Sequence, residues 1–585
     1  MKNILLLTDY KSFDDTKDLY FLSNQSFFKN IDLKNNQIKY QTIGDLTQNY
    51  QSRYDDTIRT DKIILNIEQD LYKNLNHYHS TTFSHRYWKI ILGHWVARFV
   101  RTIYFRYKIL DKCLNNDHMI DLIHVSRCDS YTQSIDQTNV AWLSSMDSEW
   151  NFNLFSKILI KCFKKKYDLN YIDTEKYQFT PNISKAINTK KEFIKNRLLK
   201  ILSSLNYLSQ NNTMAFKTTY LNIFDELKLS LFNGEIPSIL FNLNYKKEEL
   251  DLEKRKNIVL QKKNSDPFEN LIRDLIIDAL PRVAFEDYKN ILNVINNSKW
   301  PKSPKIIFTS NSYDGDDFFK IWAAEKVERK KSKYIIGQHG LFDCSEQLLK
   351  NTNDYQVCDH YLRWGEKKYA KDIELFNLKL INKKIKLKDG NKILVFARTA
   401  GHENECYSRE EEFQIYNDCL NTVLDNFDIH NLKETTVRLK HTFRWTNPNE
   451  FHYLRNKFPL LKIDEGIKNV FSLFEKTKLS IFLYYSTGVM ESLNLDIPTV
   501  FYFPKKLIHI DSKERKYLDM LNKCKILSYD KDEFKDNINF IIKDVKKWWS
   551  MKDVMQVRSE IINRYSKVEK NNPVLKISKL LKSLS

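Results

Sequence analysis

The strongest constraint on the fold lies between Pro304 and Gly340. Pro304-Lys305-Ile306-Ile307-Phe308-Thr309-Ser310 is an apolar run that breaks into polar residues, the mark of a buried strand entering a loop. Phe318 to Glu328 follows with helical spacing, Phe319, Trp322, Ala323 and Val327 falling on one side. Lys333-Tyr334-Ile335-Ile336-Gly337 is a second apolar run, and it opens into Gln338-His339-Gly340. Strand, helix and strand within about 35 residues form a β-α-β unit, which commits this part of the chain to a parallel sheet. Such sheets place their ligands outside the carboxyl ends of the strands.

The same alternation recurs. Ile4–Leu7 reads as a short buried strand ending at Thr8-Asp9, and His360-Tyr361-Leu362 as another before Trp364-Gly365. Residues 366–390 are Lys-rich and turn-prone and read as a domain linker. Beyond them, Lys392–Ala397, Glu434–Leu439, Leu479–Leu483 and Pro498–Phe503 read as strands, with helices at Glu411–Asp428, at Val470–Lys476 and from Val489. The expected architecture is α/β, two Rossmann-like domains facing a cleft. Residues 1–385 form the first, with helical insertions over about 110–300; residues 386–545 form the second; 546–585 form a C-terminal helical extension. Between Ser84 and Tyr107, Tyr87, Trp88, Ile91, Leu92, Trp95, Phe99 and Ile103 recur at helical steps, interleaved with Arg86, Lys89, Arg98, Arg101 and Arg106. That segment reads first as an amphipathic core helix, and second as a pocket wall or a membrane-surface helix.

The 585 residues exceed one domain, and the net charge of +20 suits an anionic partner. Abundant Lys, Asn, Ile and Tyr give the excess a second origin, the codon bias of an AT-rich genome. The eight cysteines form no C-x-x-C pair or zinc spacing and are scattered as in a reducing cytoplasm. No signal peptide and no membrane span is expected. A G-x-x-x-x-G-K-[ST] loop, a G-x-G-x-x-G fingerprint and a nucleophile elbow are all missing from the sequence, which argues against P-loop ATPases, ordinary dinucleotide oxidoreductases and α/β-hydrolases.

Four loops after strands carry the candidate chemistry. Gln338-His339-Gly340 sets an imidazole at the cleft, where it can take a proton from an attacking hydroxyl; Gly340 leaves room for a ligand, Gln338 orients the imidazole or a substrate oxygen, and Ser310 stands at the end of the neighbouring strand. Arg438-Leu439-Lys440-His441 puts Arg438 and Lys440 on one side of an extended segment, suited to phosphate oxygens. Ser486-Thr487-Gly488 opens a helix, where hydroxyls and unpaired N–H groups bind anions, and Glu491 one turn on can accept two ribose hydroxyls. Arg398 to Glu405 adds Arg398 as a donor-side cation and Glu403 as an acid/base candidate. Each loop also has a structural reading: a strand-end cap, an exposed terminus, a plain N-cap or a solvated charge.

Taken in order, the pieces resemble a family of transferases from O-antigen and surface-polysaccharide clusters, first named from a spirochaete locus. The matching residues are Ile91-Leu92-Gly93-His94-Trp95 with Arg106-Tyr107, then Thr309-Ser310, Phe319-Lys320-Ile321-Trp322-Ala323 and Gln338-His339-Gly340. Asp359 to Gly365, Val437-Arg438-Leu439, Tyr484 to Glu491, Ile497-Pro498-Thr499 and Trp548-Trp549 with Gln556 complete the set. The chain departs from the family pattern after Gln-His-Gly, where Leu341-Phe342-Asp343-Cys344 stands, and after Arg438-Leu439, where Lys440 to Trp445 stands.

The layout is also similar to CDP-glycerol glycerophosphotransferases and bacterial Kdo transferases, which have two Rossmann-like domains of the GT-B kind. The resemblance implies a donor held by the second domain, an acceptor held by the first, and no cofactor or metal for the transfer step. It implies His339 as the counterpart of the glycerophosphotransferase base, and Ser486 and Thr487 as counterparts of their phosphate-binding hydroxyls. The implied function is a surface-polysaccharide (O-antigen or capsule) glycosyltransferase. Its donor would be a nucleotide-activated sugar, with a CMP-linked 2-keto sugar such as Kdo or a nonulosonate favoured, and its acceptor a glycan or lipid-linked molecule. CDP-polyol phosphotransfer is the alternative enzyme; a nucleic-acid-binding or scaffold protein is the alternative of another class, although no nucleic-acid-binding motif is present. The expected location is cytoplasmic, with peripheral contact at the anionic inner face of the membrane following from a lipid-linked acceptor.

Overall fold

The computed structural model describes residues 4–8, 19–22, 40–42, 46, 48–115, 120–127, 139–163, 167–173, 205–241, 243–261, 266–340, 351–383, 390–398, 405, 407, 409–441, 449–507 and 509–585. Their strands form three sheets, and every pairing is parallel. The α/β expectation therefore holds, with one sheet more than the two expected.

The first sheet has β1 (Ile4–Leu6), β2 (Leu19–Phe21), β3 (Tyr40–Thr42), β4 (Leu122–Ser126) and β5 (Asp168–Ile172) in the order β3-β2-β1-β4-β5. The second has β6 (Met214–Lys217), β7 (Ile306–Thr309), β8 (Lys333–Gly337), β9 (His360–Arg363) and β10 (Asp372–Glu374) in the order β10-β9-β8-β7-β6. The third has β11 (Lys392–Phe396), β12 (Thr435–Arg438), β13 (Lys462–Asp464), β14 (Thr477–Phe482), β15 (Thr499–Tyr502) and β16 (Leu527–Ser528) in the order β13-β12-β11-β14-β15-β16. The span 110–300, expected to insert helices, thus also carries β4, β5 and β6, and the expected linker at 366–390 carries β10.

Side-chain alternation explains how the second sheet is covered. Ala215, Ile307, Tyr334 and Ile336 face one apolar cluster, while Met214, Phe216, Ile306, Phe308 and Ile335 face another. Its strands follow one another in sequence order, so right-handed crossovers put the connecting helices on one face. That face packs on α1 (Tyr50–His79) and α2 (His85–Asn115), which also serve the first sheet. The opposite face is closed from the far end of the chain, by Val574, Ile577 and Leu581 of the helix Pro573–Leu584. The last helix of the expected extension is therefore part of the second sheet's core, whereas the helix Lys552–Tyr565 packs its Val554, Val557, Ile561 and Tyr565 with the third sheet.

The core-helix reading of α2 holds. His94 is half-buried and stacked on Tyr313, and desolvation lowers its pKa to about 3. Arg106 is wholly buried, donating to Asn151 Oδ1 at 2.9 Å and to the carbonyls of Thr102 and Ser144. The Arg106 side chain is thereby closed to a ligand or a membrane. Among the described residues no helix is long and apolar enough to cross a membrane.

Several contacts stitch the third sheet to the rest, among them the following two. Arg53 of α1 pairs with Glu411 at 2.8 Å and Glu412 at 3.0 Å, on the helix Arg409–Asp425. Residues 564–567, the end of the helix Lys552–Tyr565 and the chain just after it, run alongside 364–366: Glu366 N–H donates to the Arg564 carbonyl at 2.9 Å, and Lys567 N–H to the Trp364 carbonyl at 2.6 Å.

Candidate functional site

The third sheet has the strand order of a Rossmann domain, reversing direction between β11 and β14. A crevice must open at the carboxyl end of that switch point, since the connections leave it on opposite faces. A pocket of about 350 Å³ lies there, lined by Phe396 and Ala397 at the end of β11, Arg438 to His441 at the end of β12, and Tyr484 and Ser486 to Gly488 after β14, with Glu491.

The lining is built for an anion. Ser486 is the N-cap of the eight-residue helix Thr487–Asn494, and its hydroxyl does not cap the helix's own N–H groups. The pocket therefore meets the helix at its positive, N-terminal end. His441 has its pKa lowered by burial and by the cations Lys440 and Arg438 beside it. An anion seated among the three would offset that repulsion and raise it again. Burial raises the Glu491 pKa above the ordinary carboxylate value, and the ammonium of Lys379 opposes that shift only in part.

The second sheet brings its own loop to this pocket. A Cβ built on Gly340 would lie 2.5 Å from Thr487 Oγ1, so the loop carrying His339 lies against the first residue of the pocket's helix. His339 is exposed, and its Nδ1 is hydrogen-bonded to the Tyr220 hydroxyl. Desolvation and the Lys379 ammonium hold its pKa below the ordinary imidazole value, against the Ser310 carbonyl and Asp314, so it is neutral at pH 7 and able to accept a proton.

The remaining expected residues fall outside this arrangement or support it. Gln338 is buried and accepts the Trp364 N–H at 2.9 Å; it ties the ends of β8 and β9 together rather than facing substrate. Ser310 is fully buried, its N–H donating to the Thr218 carbonyl at 3.0 Å and its hydroxyl to the Thr219 carbonyl at 3.2 Å. Both are polar residues spent on backbone groups, which a strand-end position does not distinguish from substrate contacts. Arg398 stands beside the pocket, paired with Glu412 at 3.3 Å and over the Tyr484 ring. Arg438 lines the pocket with its guanidinium bound to Asp464 and donating to the Gly466 carbonyl at 3.3 Å. Glu403 lies outside the described residues. No group of His, Cys, Asp and Glu among the described residues could hold a metal ion.

A model of the LIC12162 family transferases matches residues 3–581. The chain belongs to that family. No curated protein matches this family member. Among solved structures, a Thermobaculum terrenum O-GlcNAc transferase mutant is similar at 11% identity and a TM-score of 0.30, covering 55% of this chain and 59% of its own. Acinetobacter baumannii MurG is similar at 10% identity and 0.32, covering 64% and 99%. The wall teichoic acid polymerase TagF is similar at 12% and 0.33, covering 67% and 95%. At such scores these likenesses are distant and carry nothing about the chemistry of this LIC12162 family transferase.

Sequence reasoning missed Tyr220 and Lys379 beside His339. Tyr220 and Thr218 both have left-handed backbone, φ 70° and 49°. Each costs about 1–3 kcal/mol for such residues, and Ser310 holds the twisted loop by the two bonds above. Lys379 sits on the 3₁₀ turn Leu378–Leu380, its Nζ 4.4 Å from the centre of the Tyr220 ring, and acts on both His339 and Glu491. It lay hidden in the Lys-rich stretch read as a linker. Because Lys379 lowers the His339 pKa, Lys379→Gln is expected to shift the acid limb of the pH–rate profile to higher pH. An unmoved limb would show that Lys379 does not act on the group that sets it.

Proposed function

We propose that this family transferase moves a glycosyl group from a nucleotide-activated donor, held in the third-sheet pocket, to an acceptor hydroxyl that approaches from the second sheet. The observation that carries the reading is the meeting of two unlike halves. An anion-binding pocket at a Rossmann switch point is touched, through Gly340 and Thr487, by a loop presenting a neutral imidazole.

In the reaction the acceptor oxygen forms a bond to the anomeric carbon as the bond from that carbon to the donor phosphate breaks. The hydroxyl proton passes to His339. The charge gathering on the leaving phosphate is met by Lys440, Arg438 and the N–H groups at Thr487. Glu491 accepts hydroxyls of the nucleoside ribose. Preformed donors in a partly desolvated pocket need little reorganisation as that charge develops, which is where such sites gain most of their rate.

The resemblance in the motifs favours a CMP-linked 2-keto sugar as donor and an O-antigen or capsule glycan, or its lipid-linked precursor, as acceptor. The same pocket would serve a CDP-polyol, so the product must decide. With a donor labelled in the phosphate next to the transferred group, glycosyl transfer leaves all label on the released nucleotide. Label in the polymer would replace the glycosyl reading with polyol-phosphate transfer.

A further inference from the structure

The helix Ile223–Phe232 is turned the wrong way for a soluble surface. Its inner side holds Asp225, Leu229 and Ser230, while Phe224 is 72% exposed and Leu231 62%, with Phe232 beside them. Residues 224, 228, 231 and 232 share one helical face, so the exposed apolar residues form a stripe containing one cation, Lys228. The roll of the helix is fixed by polar bonds on the other side. Asn382 donates to Asp225 Oδ2 at 2.9 Å, and Thr219 Oγ1 to Glu226 Oε2 at 3.0 Å. A rotation that buried Phe224 would break both.

The stripe continues beyond the helix. Asn212 donates to the Ile236 carbonyl at 2.7 Å, joining the turn that exposes Ile236 to the 3₁₀ turn that exposes Tyr207 and Leu208. Its other border is basic. The helix Pro573–Leu584 packs alongside through Ser578, which donates to Asn233 Oδ1 at 2.9 Å. Lys582 Nζ reaches the Phe232 carbonyl at 2.8 Å, and Lys579 and Lys582 are both exposed.

We infer that this surface seats the protein on an anionic bilayer. Phenylalanine and leucine side chains would enter the headgroup–acyl boundary while Lys228, Lys579 and Lys582 meet acidic headgroups. The charge pattern selects this occupant: the apolar residues are bordered by lysines on both helices, and the whole chain carries +20. The helix begins just after Tyr220, the partner of His339, so seating it brings the acceptor side of the cleft to the interface. The benefit to a lipid-linked acceptor rests on the function proposed above; the seating itself does not.

Flotation of the full chain with vesicles tests it. Wild-type protein is expected to float with phosphatidylcholine vesicles containing phosphatidylglycerol, less so as salt rises, and poorly with phosphatidylcholine alone. Phe224→Ser with Leu231→Ser should lower the partition about ten-fold or more. Lys579→Glu with Lys582→Glu should abolish the preference for acidic lipid. Melting temperature and donor-induced stabilisation should match wild type in both variants, which separates loss of the surface from loss of the fold. A chain that floats without binding any donor would overturn the proposed function and leave this inference standing. Equal flotation of the Phe224/Leu231 variant, or equal recovery on neutral and acidic vesicles, would overturn the inference. So would a wild-type dimer that this variant converts to monomer, which would give the face to a second copy.

Discussion

His339→Ala is expected to lower turnover by about 10²–10⁴-fold, the usual range for losing a general base. The imidazole stands on the loop that touches the third-sheet pocket, and its lowered pKa leaves it unprotonated at neutral pH. Donor affinity should change little, because Arg438, Lys440, Ser486 and Glu491 belong to the third sheet's pocket. Steady-state kinetics together with donor titration separate the two effects. If His339 only supported its loop, the variant would melt earlier and turn over within a few fold of wild type. A stable variant with full turnover would end the catalytic role and leave the donor site intact.

The second large effect is structural and falls at Gly365→Ala. A Cβ at this position would lie 2.0 Å from the Arg564 carbonyl oxygen and 2.8 Å from the Tyr565 nitrogen. Both are backbone atoms, so no side-chain rotation relieves the contact. The segments must separate, and the paired bonds of Glu366 and Lys567 stretch with them. Overpacking of this kind costs about 3 kcal/mol. The stitch lies where the chain returns from the third sheet to close the second, so the cleft should loosen as well. The check is a denaturant titration with a KM measurement: lower stability and a raised KM are expected. A variant as stable as wild type would show that segment 564–567 yields without cost.

Much of the fold was legible because strands buried in parallel sheets are continuous apolar runs. Ile306–Thr309, Lys333–Gly337 and Thr477–Phe482 stand out for that reason, and the loops after them hold the site. Asp372–Glu374 carries a single apolar residue at the sheet's edge, so it could not be told from a linker, and Lys379 was lost with it. The return of Pro573–Leu584 to the second sheet was illegible for another reason. It depends on which face of that sheet the crossovers leave bare, a property of strand order rather than of any local pattern. Arg438 shows the limit for charges: its type and position pointed to phosphate, but its partner Asp464 lies on the neighbouring strand β13, and pairing across strands cannot be read from spacing. Removing Arg438 would strand a buried carboxylate, so Lys440 is the cleaner probe of donor binding.

The measurement that bears most directly on the central claim is a melting-temperature panel with CMP-, CDP-, UDP- and GDP-linked donors, run on wild type and on Lys440→Ala. A donor at a hundred times its Kd adds about 2.7 kcal/mol to the folded state. One donor class is expected to raise the melting temperature of wild type, and Lys440→Ala should weaken its binding by about 1.5–3 kcal/mol, the worth of a hydrogen bond to a charged group. No stabilisation by any donor, or an equal stabilisation in the variant, would contradict a nucleotide-donor site in the third-sheet pocket.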